Sequence, residues 1–432
     1  MTKRTKRTAP SRRDFFKTSA VAALAGTIAP YAAAAPRFKP GGAEMLKVGL
    51  VGCGGRGTGA AADALRADPN VKLVALADTF RDRLDSTLKT LQNTENVAPK
   101  VDVDEEHKFV GWDAYKGVIE TCDVVLLATS PHFRPLHMRA AVEAGRHLFV
   151  EKPVAVDGPG LRSILETTEL AKKKGLSIVS GLCYRYQFAK QETIRRIHDG
   201  AIGEIAAMQC TYNTGELWYR EPKPDWTPME VQMRNWLYFS WLSGDHIAEQ
   251  HIHSLDKLAW AMGSYPVRCT ASGGRIIRTD SKYGNVYDHF NTCYEWENGV
   301  KGFSSCRQMN GTKHNVSDHC FGTRGTAHIQ THSIEAEGGW KWRHRREGKD
   351  NMYQNEHDAL FEAIRAGEPI NNGEYMAHST LMAMMGRMSA YTGQTIGFEQ
   401  ALNSQEDLTP PAYEWGPMEV APVARPGVTQ FS

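Results

Sequence analysis

The sequence contains no CxxC pair, no HExxH and no internal repeat, and its eight cysteines (53, 122, 183, 210, 269, 293, 306 and 320) fall in no metal-ligand spacing. A zinc-ribbon or zincin reading is therefore excluded. The cysteines read as mostly reduced, buried side chains whose spacing selects no disulfide pairing. Charge of one sign is missing as well. The chain carries 51 Lys+Arg against 49 Asp+Glu, and its first 35 residues hold seven of the bases and one acid, so the net +2 becomes about −4 without them. Nothing here makes a nucleic-acid binder. At 41% hydrophobic and 23% charged, the composition excludes disorder and collagen-like structure, and 432 residues suffice for two domains with separate cores.

What is present begins at the N-terminus. SRRDFFKTSAVAALAG sets Arg12 and Arg13 before two Phe and a Lys, followed by an apolar stretch too short to hold stably in a bilayer. Residues 1–35 read as a twin-arginine export signal, with cleavage sites among Ala32 to Ala35. A basic amphipathic first helix is the alternative. The signal places the protein in the periplasm or another extracytoplasmic space, with no stable membrane insertion after its removal. Twin-arginine export carries folded proteins, so a cofactor loaded in the cytoplasm travels with the chain.

From Met45 the apolar runs MLKVGLV, VKLVALAD, DVVLLAT and HLFVEKP alternate with helical stretches. Continuous apolar strands of this kind belong to a parallel sheet buried on both faces. Residues 45–153 are accordingly a doubly wound α/β (Rossmann) domain. A helix over about 157–174 follows. Then come β-rich segments, EIAAMQCTYN, VRCTASGGRII, HFNTCYEWENGVKGFSSC and HCFGTRGTAHIQTH, with Glu297, Asn298 and Gly299 as a hairpin turn. Residues 154–400 are expected to form an α+β domain with a large, open, mainly antiparallel sheet, closed by helices near 355–366 and 376–392. Residues 401–432 form an extended Pro-rich tail.

VGLVGCGGRGTGAAADAL places Gly52, Gly54 and Gly57 in GxGxxG spacing, with Gly55 and Arg56 between them, after a strand and at the start of a helix. A tight turn, close backbone approach and a helix N-terminus with free N–H groups suit a pyrophosphate. A glycine-rich turn without a ligand shares the pattern. Asp78 closes the second run, 21 residues after Gly57, where a carboxylate accepts the adenosine ribose hydroxyls and repels a 2′-phosphate. NAD is therefore favoured over NADP, a preference that Arg81 and Arg83 weaken. Thr129, Ser130, Pro131 and His132 follow DVVLLAT, read as the third strand, at its carboxyl end, where a crevice ligand is expected.

GDHIAEQHIHSLD, residues 244–256, holds three histidines and three carboxylates in thirteen positions. Glu249 and His253 are four apart on one helical face, where a carboxylate orients an imidazole or raises its pKa. His246 could share that face. His251 lies about 200° around from Glu249, so one regular helix cannot bring the three histidines to one metal ion. No metal site is expected. Trp236 and Tyr238 offer aromatic faces for a sugar ring or for core packing.

HMRAAVEAGRHLFVEKPVAVD, followed by SGLCYRYQFAKQETIRRIHDGAIGEI, resembles the Gfo/Idh/MocA oxidoreductase family, from about residue 45 to 400. The Glu151-Lys152-Pro153 triplet is its most specific mark. The resemblance implies NAD(P) in the first domain, with Glu151, Lys152 and the Thr129–His132 segment beside it, and a sugar or cyclitol against the open sheet. It implies that Lys152 holds the reacting oxygen, and that His253, in a D-x-x-x-H-x-x-D pattern ending at Asp256, is the acid/base. Glu249 stands where the family commonly has Asp, one methylene longer. Arg185 and Tyr186 occupy the segment relatives turn toward the sugar, and His251 is assigned to substrate contact or local packing. Relatives often form dimers or tetramers through the open sheet, which implies a homo-oligomer.

The activity expected is hydride transfer between NAD and a secondary alcohol of a sugar, sugar derivative or cyclitol. Outside the cytoplasm no NAD pool regenerates the cofactor, so it must stay bound and be recycled by a second carbonyl substrate. Two alternatives remain open: an NAD-dependent glycosidase that oxidises C3 transiently and eliminates a C1 leaving group, and a non-catalytic dinucleotide-binding protein.

Overall fold

The computed structural model describes residues 44–345 and 348–432. The segment read as an export signal lies outside the described residues. The first sheet is parallel and holds β1 (Leu46–Val51), β2 (Val71–Asp78), β3 (Lys108–Val110), β4 (Val124–Leu127), β5 (His147–Val150) and β6 (Ile178–Ser180), in the order β3-β2-β1-β4-β5-β6. All four residues of β4 and of β5 are buried, as helices on both faces require. The strand order reverses between β1 and β4, which opens a crevice at the carboxyl ends. Register sets what lines it. Val51 lies opposite both Ala77 and Leu127, and Leu127 opposite Val150. The strand ends are level, so Asp78, Gly52, Ala128 and Glu151 follow one another along a single rim.

Two expectations need correction here. The run DVVLLAT forms the fourth strand, because the short edge strand β3 precedes it; three residues are too few to leave an alternating signature. The parallel sheet also runs past Pro153. The chain crosses over through the helix Gly158–Lys174 and returns as β6 beside β5. Asp157 caps that helix by accepting from the Gly160 amide at 2.8 Å, and Gly175, at φ +65°, ends it.

The second sheet has nine strands: β7 (Ile205–Thr214), β8 (Arg268–Gly274), β9 (His289–Glu295), β10 (Lys301–Gln308), β11 (Asn315–Gly322), β12 (Gly325–His328), β13 (Ser333–Ala336), β14 (Trp340–Arg343) and β15 (Ile396–Gly397). Their order is β14-β13-β12-β11-β7-β10-β9-β8-β15. Every pairing is antiparallel except β10 with β7. The Glu297–Gly299 turn joins β9 to β10, with Gly299 at φ +84°. Burial alternates along both strands, so one face meets the core while the other carries Phe303 and Phe321, 51% and 41% exposed. The helices Ile252–Met262 and Gly373–Thr392 cover the inner face; the second is buried on nearly every side. No helix among the described residues is long and apolar enough to cross a membrane.

The tail is extended and tied down. Gly427 donates to the Thr392 carbonyl at 2.9 Å, Tyr287 to that of Ala424 at 2.9 Å, and Gln405 to that of Ser432 at 3.1 Å. Midway, Tyr413 and Trp415 pack against Trp112 with ring centroids 5.8 and 4.8 Å away.

Candidate active site

A cavity of about 490 Å³ runs along the rim of the parallel sheet and is closed by the second half of the chain. One end is the glycine loop. Gly52 (φ +101°) and Gly57 are required by the fold: a Cβ would stand 2.5 Å from the Thr129 amide at the first and 2.0 Å from the Gly52 carbonyl oxygen at the second. At Gly54 and Gly55 a Cβ meets no protein atom within 4 Å, so their missing side chains leave free space over the loop. The first-turn amides of the helix Gly55–Ala67 have no partner inside that helix and face this space. Free space and unanswered N–H groups at a helix N-terminus fit a dinucleotide pyrophosphate.

Asp78 lines the same wall and accepts from the Cys53 amide at 2.6 Å and the Phe80 amide at 2.9 Å. Burial pushes its carboxyl up, against the pull of those two amides. The remaining lone pairs of its oxygens are available to ribose hydroxyls. Thr129 and Ser130 line the wall beyond.

The other end gathers Glu151, Lys152, Glu249 and His253. Lys152 Nζ donates to the Glu249 backbone carbonyl and, at 3.1 Å, to Glu249 Oε1. His253 is half-buried; its Nδ1 is sealed off without a hydrogen bond, which leaves Nε2 as the nitrogen that can reach a ligand. Burial first, and then the ammonium of Lys152, hold its pKa well below the ordinary 6.5. His253 is therefore neutral and able to accept a proton. Tyr184 stands edge-on to it at 5.2 Å, with Lys190 and Lys257 over the phenol ring at 4.5 and 4.4 Å. Sequence reasoning missed this backing, although Lys257 lies one helical turn from His253.

The helix that carries His253 is broken. A four-residue helix, His246–Glu249, is followed by a wide turn in which the His251 amide donates to the His246 carbonyl at 3.0 Å, and Ile252–Met262 begins a new helix. Asp245 anchors the entry: its carboxylate accepts from the His246 amide (2.6 Å), the Tyr287 amide (2.7 Å) and the Tyr391 hydroxyl (2.6 Å), while its backbone is held at φ +68°. The expected face shared by Glu249 and His253 does not form, and Glu249 pairs with Lys152 instead. A full ammonium attracts the carboxylate more strongly than a neutral imidazole does.

Comparison with known proteins settles the family. Residues 46–182 match the oxidoreductase family with an NAD-binding Rossmann fold, and residues 191–328 match the GFO/IDH/MocA C-terminal domain. The chain belongs to the Gfo/Idh/MocA oxidoreductases. A glycosyl hydrolase family 109 protein of Streptomyces coelicolor is 30% identical over 203 residues, 44% of this chain and 41% of that protein. The 2,7-anhydro-N-acetylneuraminate hydratase of Escherichia coli is 23% identical over 257 residues, 59% of this chain and 60% of that one. The matches thus span about half the length of these curated relatives. A levoglucosan dehydrogenase, solved with NADH and levoglucosan, superposes with a TM-score of 0.65 at 18% identity, covering 83% of this chain and all of that one. That likeness concerns the fold.

Other expected site residues of this family member are distributed differently. Arg56 lies on the cavity wall, but its guanidinium is taken by Glu151 and, at 2.8 Å, by Glu356, under the Tyr353 ring at 4.8 Å. Its side chain is thus already partnered. Burial alone would raise Glu151; Arg56, then Lys152 and Arg134, hold it below the usual carboxylate range. Pro131 and His132 do not line the cavity. His132 Nε2 meets the Tyr413 hydroxyl at 2.8 Å, and burial pushes its pKa down to about 4. Arg134, missed by the sequence, takes the place nearer the rim, donating to the Thr129 carbonyl at 2.5 Å and to that of Pro153.

Arg185 does not line the cavity. It forms a forked ion pair with Asp256 at 2.8 to 3.1 Å, its plane 4.2 Å from Tyr375 and 5.1 Å from Trp260. Tyr186 donates to Asn372 at 2.7 Å, and Tyr238 to the Leu217 and Trp218 carbonyls at 3.0 and 3.2 Å. His251 is fully buried, 2.6 Å from Ser304 Oγ on β10, and His246 rests on Asp245; with His253 they face three directions. Trp236 does line the cavity, together with Trp218, Arg220 and Arg83.

Proposed function

We propose that this oxidoreductase removes hydrogen from a secondary hydroxyl of a sugar, sugar derivative or cyclitol. The observation that carries the reading is the shared cavity: a neutral imidazole and an ammonium open on the same space as the glycine loop. The glycine loop, Asp78 and the Thr129–Ser130 turn would hold NAD, which when bound supplies the hydride acceptor. His253 takes the hydroxyl proton, its neutral state leaving a lone pair free. Lys152 donates a hydrogen bond to the same oxygen and stabilises the negative charge that develops there. Glu249 fixes Lys152 and leaves it a proton to present. Asp78 supports NAD over NADP.

The paired arginines at Arg12 and Arg13 support export by the twin-arginine route, and we infer that the cofactor leaves the cytoplasm with the protein, stays bound and is recycled by a second carbonyl substrate. The exposed face of the second sheet, with Phe303 and Phe321, supports a homo-oligomer. Similarity to a family 109 glycosyl hydrolase and to an anhydro-sugar hydratase favours one second reading, redox-neutral cleavage of a glycoside through transient C3 oxidation.

One experiment separates these readings. The exported protein is purified without added cofactor, its nicotinamide absorbance recorded, and the sample incubated with free sugars and with aryl glycosides. Oxidation of one sugar coupled to reduction of another supports the oxidoreductase, and aglycone release without net NADH supports the glycosidase. A loaded protein inert to both would leave a dinucleotide-binding protein.

A further inference from the structure

Beyond Asp78 the cavity ends in three arginines, and only one of them is paired. Arg234 donates to Glu230 at 2.7 Å and to Asp82 at 3.1 Å. Arg83, in the first turn of the helix Arg81–Gln92, lines the cavity and makes no ion pair or side-chain hydrogen bond among the described residues. Arg220 comes from the other half of the chain, in the irregular stretch after β7. Its backbone is clamped: the Asn235 side chain accepts from its amide at 2.8 Å and donates to its carbonyl at 3.0 Å. Its guanidinium lies 4.7 Å from the Trp218 ring, yet Nε is buried with no acceptor.

Such a group is costly as it stands. Burial pushes the Arg220 pKa down, Arg83 and Arg234 push it further, and the acid that pulls the other way, Asp82, is already engaged by Arg234. A guanidinium has five donors in a fixed fork that matches a phosphate, and here Nε is left without an acceptor away from water. The other unpaired cation, Arg83, sits near enough to Asp78 to pull against the rise that burial gives its carboxyl. The pair thus flanks the end of β2, where the adenosine half of a dinucleotide lies in a Rossmann domain.

We propose that Arg83 and Arg220, one from each half of the chain, form a phosphate-binding pair for the adenosine side of the dinucleotide, so that the second domain grips the cofactor directly. The inference rests on the cavity being a dinucleotide site. It gives cofactor retention a physical basis: release requires Arg220 to move away from Arg83, and the segment carrying it is held by Asn235 and Tyr238. The phosphate is either the bridging pyrophosphate or a 2′-phosphate, and two ligands distinguish them.

The test measures dissociation constants of NAD, NADP and adenosine for the full chain and for its Arg83→Gln, Arg220→Gln and Arg220→Lys variants, with thermal unfolding as the folding control. Each glutamine variant is expected to weaken dinucleotide binding about tenfold or more, with adenosine, which has no phosphate, unchanged, and Arg220→Lys recovering part of the loss. Equal losses for NAD and NADP assign the pyrophosphate; a loss confined to NADP assigns the 2′-phosphate. Unchanged dinucleotide binding in Arg220→Gln, or an equal loss for adenosine, overturns the pair while leaving the cofactor reading intact. A wild-type chain that binds neither dinucleotide overturns both.

Discussion

At its glycine-loop end the cavity is walled by the backbone of one turn, Gly52 to Gly57, and at the other end by side chains from positions 152, 249 and 253. The first surface is local. It needs only the absence of Cβ atoms and the first amides of a helix, so six consecutive residues specify it. The second is assembled across the chain, since Lys152 finds its partner 97 positions away. Binding that relies on backbone should tolerate side-chain changes nearby, whereas chemistry that relies on three distant side chains should fail when any one is lost.

The largest effect is expected at His253. Replacement by Ala should lower kcat by about 10³ to 10⁴, leaving NAD affinity within a few-fold, because the other histidine that lines the cavity, His137, is buried in stacks with Tyr115 and Phe133. Equal losses in cofactor binding and turnover would break the division between the two ends. Lys152→Met should cost about 10² to 10³ in kcat, as expected when a donor to a developing oxyanion is removed. Steady-state kinetics on any sugar the wild type oxidises measures both.

The glycines sharpen the same contrast from the other side. Gly54→Val should fold normally, since its Cβ meets nothing and its φ of −87° suits any residue, but should weaken NAD by a factor on the order of a hundred. Gly57→Ala, with its Cβ forced onto the Gly52 carbonyl, should destabilise the fold by about 1–3 kcal/mol even without cofactor. Thermal unfolding and NAD titration of the two variants should give opposite patterns. Glu249→Gln keeps an acceptor for Lys152 and should reduce kcat only about tenfold.

A smaller, global effect concerns acid. Burial pushes His132 and His147 to about 4, and His137 and His251 to about 3, while each titrates near 6.5 once unfolded. Between those values the unfolded chain binds more protons than the native one, so stability is full above pH 6.5 and is lost as the pH falls toward 4. The melting temperature should fall steeply across that window. The kcat/KM profile should show no loss from protonation of His253 until the pH is well below 6.5.

The same contrast explains what the sequence could disclose. Four strands of the parallel sheet, the glycine loop, the hairpin at Glu297–Gly299 and the helix Gly158–Lys174 rest on local spacing, apolar continuity or a cap, and all were legible. The face shared by Glu249 and His253 was not, because regular 3.6-residue spacing assumes an unbroken helix and the wide turn at Gln250–His251 interrupts it. Arg185 resembled a ligand contact until Asp256, 71 positions on, claimed it. Arg220 gave no signal, since the stretch after β7 has no period and its significance lies in a partner it lacks.

The account depends most on Lys152 and His253 acting on one oxygen. A crystal structure of the chain with NAD and a sugar that it oxidises tests this directly. One secondary hydroxyl should lie within about 2.6–3.2 Å of both Lys152 Nζ and His253 Nε2. A sugar whose reacting hydroxyl contacts neither group, with the ammonium and the imidazole turned to opposite sides, would contradict it.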